Sequence, residues 1–387
     1  SGIFMTRQHH TSNAASPAWA LCALLLAPLP APAAPAQAGK PAAPPTWQRE
    51  AVPFYDTVHA LQGIYSHWAL PRAQVFQGNA QALTQAVAAL CSNPNTRANT
   101  AHVTKAPLDA ARNAWLGTTR AWEELSAIAI GPVIARRTQR AIDFAPTRPA
   151  LIEKAIQAQP QGAQAFERIG TPAKGLPALE WLLWTRPAQP GTPACSYAHE
   201  VALDVAREAS AVAADFARTA ASDWGAEEQQ EQSIQAMSEF VNQWVGGIER
   251  LRWAHMEKPL RAAQGSKPPE YPRSASQDTL AAWAATWKGL STVTQQPTQA
   301  PTPAPGEALV PLEIYLRGKG LNPLADKLHQ AAQKVDASMA QVQKAGVKGK
   351  PAIQQAARDL AALKFLAESE VAPALQVSIG FSDADGD

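Results

Sequence analysis

Gly175-Leu176-Pro177-Ala178-Leu179-Glu180, followed at once by Trp181-Leu182-Leu183-Trp184, is the stretch that says most about this chain. Residues three apart on a helix share a face, so positions 177 and 180 would project together. A proline suits the first position of a helix, where its missing N–H costs nothing and its φ is already set. Glu180 would then sit just inside the helix, where a carboxylate favours the positive end of the dipole. Proline brings neither lone pair nor proton, so chemistry that needs an imidazole there is absent.

The same texture extends outward. Apolar residues recur at helical spacing in one segment after another, and alanine and glutamine fill the gaps. This spacing predicts helices over 54–70, 73–91, 107–130, 149–159, 177–185, 196–222, 227–262, 277–293, 321–345 and 351–371. Pro71, Asn93-Pro94-Asn95, Gly131-Pro132, the Pro187–Pro193 connection, Lys267-Pro268-Pro269 and the Pro/Thr/Ala run 296–306 supply the breaks. Long helices with short connections imply antiparallel bundles. The expected fold is all-α, with one bundle over 48–190 and a second over 191–387. Twelve tryptophans include Trp115 with Trp122 and Trp283 with Trp287 at helical spacing. That spacing reads as core packing rather than as an aromatic ligand box.

With 387 residues, 46% of them hydrophobic, the chain is large enough for one big or two ordinary domains. A net charge of +2 makes no electrostatic case for nucleic acid, and the Arg136-Arg137 pair with Arg140 reads as a solvated face. Ser1–Phe4 precede Met5 and are set aside. Arg7, the apolar stretch Ala18–Ala27 and Ala36-Gln37-Ala38 before Gly39 read as a secretory signal over 1–38, with a linker at 39–47. The expectation is therefore an exported, periplasmic protein with no later transmembrane segment. Cys91 and Cys195 remain after the leader, and in an oxidising compartment they are most simply a disulfide. Two unrelated buried thiols are the alternative.

No G-x-S-x-G elbow, Gly-rich phosphate loop or cysteine-rich metal spacing is present. His199-Glu200-Val201-Ala202-Leu203 lacks the second histidine of a zincin helix. In His255-Met256-Glu257 the two polar residues stand two apart and diverge.

Against that background the chain resembles the imelysin family, motif by motif and in order. His59-Ala60-Leu61-Gln62-Gly63-Ile64-Tyr65 comes first, then Trp115, Trp122-Glu123-Glu124 and Gly131-Pro132. Ile142-Asp143-Phe144-Ala145-Pro146 resembles Ile-Asp-Phe-Trp-Pro, with alanine in place of tryptophan. Gly175–Glu180 resembles Gly-x-His-x-x-Glu, with Pro177 in place of histidine. Cys195-Ser196-Tyr197, Glu370–Leu375 and Gly380-Phe381-Ser382-Asp383-Ala384-Asp385-Gly386-Asp387 complete the set.

The resemblance implies two helical domains with an interface cleft near Gly175–Glu180 and the acidic tail. It also implies a role in iron supply, beside other periplasmic iron-uptake components. The ligand candidates are Glu180, Asp383 and Asp385, which could bind a divalent metal or iron through oxygens. Solvated tail carboxylates and a helix-stabilising Glu180 are the plainer account of the same residues. The expected function is a non-catalytic metal- or iron-related binding or accessory component. A metal-dependent peptidase and a partner-binding scaffold are the alternatives.

Overall fold

The computed structural model describes residues 51–92, 105–263 and 265–380. The expected signal peptide, the linker, the Asn93-Pro94-Asn95 break and the Phe381–Asp387 tail lie outside them. Every regular element among the described residues is helical. The long ones are α1 (57–91), α2 (Lys105–Ser126), α3 (175–185), α4 (Pro193–Ala220), α5 (230–262), α6 (Thr279–Thr294), α7 (Asn322–Ala345) and α8 (350–374). Short helices, among them Thr138–Ile142, Pro149–Ala158 and Leu312–Gly318, fill the connections. No helix among the described residues is long and apolar enough to cross a membrane.

Helix α1 lies between α2 and α4, α6 packs on the other side of α2, and α8 packs against α5 and α7. The described residues gather into one compact unit. Helix α4 follows the expected boundary at 190/191, yet its packing partners are α1, α3 and the short helices before it. Cys91 at the end of α1 and Cys195 in the first turn of α4 form a disulfide, with α-carbons 5.5 Å apart. That is the expected pairing, and it lies within the usual span for a bridge.

Among the described residues, π-helical segments lie within long helices at Gly63–Ala69, Arg250–Glu257 and Ala367–Val371, and another, Trp181–Thr185, ends α3. Each ends two residues before a proline: Pro71, Pro187, Pro259 and Pro373. Proline has no N–H to give, and its ring presses on the carbonyl four residues back. The wider π turn relieves that pressure by moving the hydrogen bonds to i+5 spacing. Pro71 was expected to end a helix near residue 70. Instead α1 runs through it to Cys91, because the π segment absorbs the proline.

The core is rich in indoles. Trp68, Trp115, Trp122, Trp244 and Trp283 are fully buried, in line with the packing reading. Most of them also use the ring N–H. Trp115 donates to the carbonyl of Leu176 at 3.0 Å and so anchors the start of α3 to α2. Gly175, just before, has φ +80, and a β-carbon there would stand 2.3 Å from the carbonyl oxygen of Ile142. Only glycine lets α3 begin against the Thr138–Ile142 helix. This close approach brings Glu180 and Asp143 to one place.

Candidate functional site

Helix α3 opens at Gly175, so Pro177 is its third residue and not its first, as the sequence suggested. The proline is still harmless, because the first four N–H groups of a helix have no partner within it. Glu180 lies deeper, at the junction with the π segment Trp181–Thr185, and is buried. The helix dipole is therefore not what holds it. Its Oε1 accepts the backbone N–H of Ser276 at 2.8 Å and the Ser276 hydroxyl at 2.7 Å.

Ser276 belongs to the segment 265–278, which leads into α6 and forms part of a cleft of about 750 Å³. Pro177, Glu180, Asp143, Ala145, His255 and Arg273 all line it. The segment is fixed at three points. Besides Ser276, Asp278 receives Arg120 Nε on both oxygens, at 3.1 and 3.0 Å. The third point is Arg273, a non-glycine residue held at φ 61. Such strained positions persist only where the surroundings over-determine them.

Those surroundings are carboxylates. Arg273 donates Nε and Nη2 to Glu123 Oε1 at 3.1 and 2.9 Å, and Nη2 to Asp143 Oδ2 at 2.7 Å. Asp143 Oδ2 also accepts Trp122 Nε1 at 2.9 Å and Gln139 Nε2 at 3.2 Å. Glu123 Oε2 accepts the Thr286 hydroxyl at 3.2 Å. Arg273 further lies 5.9 Å from the centre of the Trp115 ring.

Burial dominates the electrostatics of this cluster. It pushes the Glu123 carboxyl above its usual range, against the pull of Arg273. For Arg273 burial acts downward, but Asp143, Glu123 and Glu180 outweigh it and hold the guanidinium above its ordinary value. Arg250, which donates to the carbonyl of Ser126, is lowered by burial, opposed by Glu123 and Asp143. His255 is driven down to about 3, first by desolvation and then by Arg250 and Arg273. Its ring is therefore neutral at any physiological pH.

The resemblance implied a cleft near Gly175–Glu180, and one cleft is lined by Pro177 and Glu180 together with Asp143 and Ala145. Asp383 and Asp385 lie outside the described residues. Among the described residues no group of three His, Cys, Asp or Glu side chains could hold a metal ion. Glu123 and Asp143 are spoken for by Arg273, and Glu180 Oε1 by Ser276, so the donors among the described residues do not fit a bare cation.

Sequence reasoning missed Arg273 and Ser276, which sit in an irregular segment with no periodicity to mark them. It also set His255 aside. That judgement on the His255–Glu257 pair agrees with the structure: His255 faces this cleft, while Glu257 lines a separate groove beside α8.

The model of the peptidase M75 family, described as imelysin, matches residues 69–371. No curated protein matches the sequence. Among solved structures, an imelysin-like protein from Psychrobacter arcticum 273-4 superposes with a TM-score of 0.67 at 18% identity. The match covers 85% of this chain and 100% of that one. A candidate iron-regulated protein A precursor from Parabacteroides distasonis ATCC 8503 superposes with a TM-score of 0.62 at 14% identity, over 82% of this chain and 95% of that one. At these identities the likeness is one of fold.

Proposed function

We propose a role for this chain on one premise: it belongs to the imelysin family. The role is that of a non-catalytic binding or accessory component in metal supply, iron-related before any other, acting in the periplasm beside other iron-uptake components. Its ligand sits in the cleft at Glu180. The name of the Parabacteroides neighbour supports the link to iron.

The observation that carries the non-catalytic reading is the state of the cleft's acids and bases. Metal-assisted or general-base hydrolysis needs a ligand set or a base free to take a proton. Position 177 is proline, Glu123 and Asp143 are tied to Arg273, and Glu180 is half occupied by Ser276. His255 is neutral, but it stands where two guanidiniums oppose its protonation.

Two measurements test the role. The purified full chain should leave denatured casein intact, with or without added zinc. Cleavage that a chelator and Glu180→Ala both abolish would overturn the non-catalytic reading. Cells lacking the protein should grow poorly under iron limitation and recover with the wild-type gene but not with Glu180→Ala. Unimpaired growth of the deletion strain would remove iron from the proposal.

A further inference from the structure

We propose that the cleft takes a small organic cation, an apolar body ending in one ammonium, amidinium or guanidinium head, and not a bare metal ion. This rests on the reading of the cleft as the binding site.

Size comes first. A cavity of about 750 Å³ is of the order that encloses an organic ligand and far exceeds the needs of a single ion. The wall comes second. Ala145, Pro146, Pro177, Pro259 and Pro272 present small or ring-shaped apolar surfaces with no side-chain donor or acceptor. Such a wall can cover an apolar body and can coordinate nothing. Proline side chains have almost no rotamer freedom to lose, so the surface is formed before the ligand arrives.

The polar groups set the head. Four carboxylates line the cleft. Glu123 and Asp143 pair with Arg273, and Glu270 pairs with Lys267. Glu180 makes no direct ion pair among the described residues, and it feels Arg273 only through space. Its Oε1 takes both Ser276 donors, while Oε2 takes none among the described residues. A buried carboxylate with no cation in contact attracts one more strongly than it would in water. Its empty oxygen can accept a charge-assisted N–H bond.

Tyr271 adds an aromatic ring to the wall. It lines the same cleft, is 5% exposed, and packs edge-on against Trp283. Lys258, exposed on the lining and without an anionic partner among the described residues, opposes a second positive group. The ligand therefore carries one cationic head and not two.

Benzamidine is a suitable probe, with a flat apolar ring and an amidinium. Calorimetric titration of the full-length protein should show saturable binding at one site. Glu180→Gln keeps an acceptor for Ser276 but loses the charge, and should weaken binding by about tenfold or more. Ala145→Trp fills the space and should abolish binding, with circular dichroism and melting temperature showing both variants folded. Zinc and ferrous iron should not displace the probe.

The proposal is overturned by three results: no saturation, equal affinity in both folded variants, or displacement by either metal. Casein cleavage would remove the non-catalytic reading and leave benzamidine binding standing. An inert protein that ignores benzamidine would remove this proposal alone.

Discussion

Ser276 gives both its backbone N–H and its hydroxyl to one oxygen of Glu180, across 96 residues of sequence. The pair joins the motif helix α3 to the segment that closes the cleft. Ser276→Ala keeps the N–H bond and loses the hydroxyl bond, so denaturant unfolding should show a loss of about 1–2 kcal/mol. Limited proteolysis within 265–278 should also quicken. Unchanged stability and cleavage would show that the hydroxyl contributes nothing to holding the segment.

Arg273→Met should be far more costly, because it strands the buried Glu123 and the half-buried Asp143. About 3–5 kcal/mol is expected near neutral pH. Glu123 already titrates above its usual range because of burial, and without Arg273 it will do so more. A carboxyl whose folded pKa is raised favours the folded state below its unfolded pKa, and that contribution is lost as pH rises through the folded value. The deficit of the variant should therefore shrink as pH falls from 7 toward 5. Chemical denaturation at several pH values checks this. A deficit independent of pH would rule out stranded carboxylates as the cause.

Gly175→Ala should be severe, since the left-handed φ and the carbonyl of Ile142 both oppose a side chain. A loss of about 3 kcal/mol or more is expected, or failure to fold. Gly191 provides the control: its φ is +72, with nothing within 4 Å of an added β-carbon. Gly191→Ala should cost only about 1–2 kcal/mol, for the backbone alone. Equal melting temperatures in the two variants would contradict the close-approach account.

The bridge between Cys91 and Cys195 spans 104 residues. The chain-entropy model gives a loop of that length about 4–5 kcal/mol. The double variant Cys91→Ser, Cys195→Ser should lose that order of stability, and reduction of the wild type should reproduce the loss. A variant that unfolds at the wild-type denaturant midpoint would refute the estimate.

The helices were legible because apolar periodicity is local, and the disulfide because Cys91 and Cys195 are the only cysteines beyond the apolar stretch at 18–27. Gly175 and Glu180 were legible as a motif. What the motif meant was not. Glu180 looked like a helix-end carboxylate, since sequence shows a neighbour three residues away but not Ser276 on another segment. Arg273 was hidden for the same reason: it sits in an irregular stretch and acquires its role only from the burial of Glu123 and Asp143. Pro71 misled because a proline's usual effect is to end a helix, and nothing local announces that a wider turn will carry the chain through. The recurrence of that device two residues before Pro71, Pro187, Pro259 and Pro373 is a signal that can be sought in related sequences.

Those four wide turns bear on how the chain can change length. Loss of one residue from a regular helix rotates everything beyond it by about 100° and turns the buried face outward. A π turn already holds more residues than the α-helical turn it replaces, so a single-residue deletion inside Arg250–Glu257 can be absorbed where it occurs. The helical segments on either side would then keep their packing against α8. Insertions and deletions between relatives should accordingly gather at these turns and be scarce in the α-helical stretches between them, and the cleft rim formed by His255 is where such a change would most directly remodel the site.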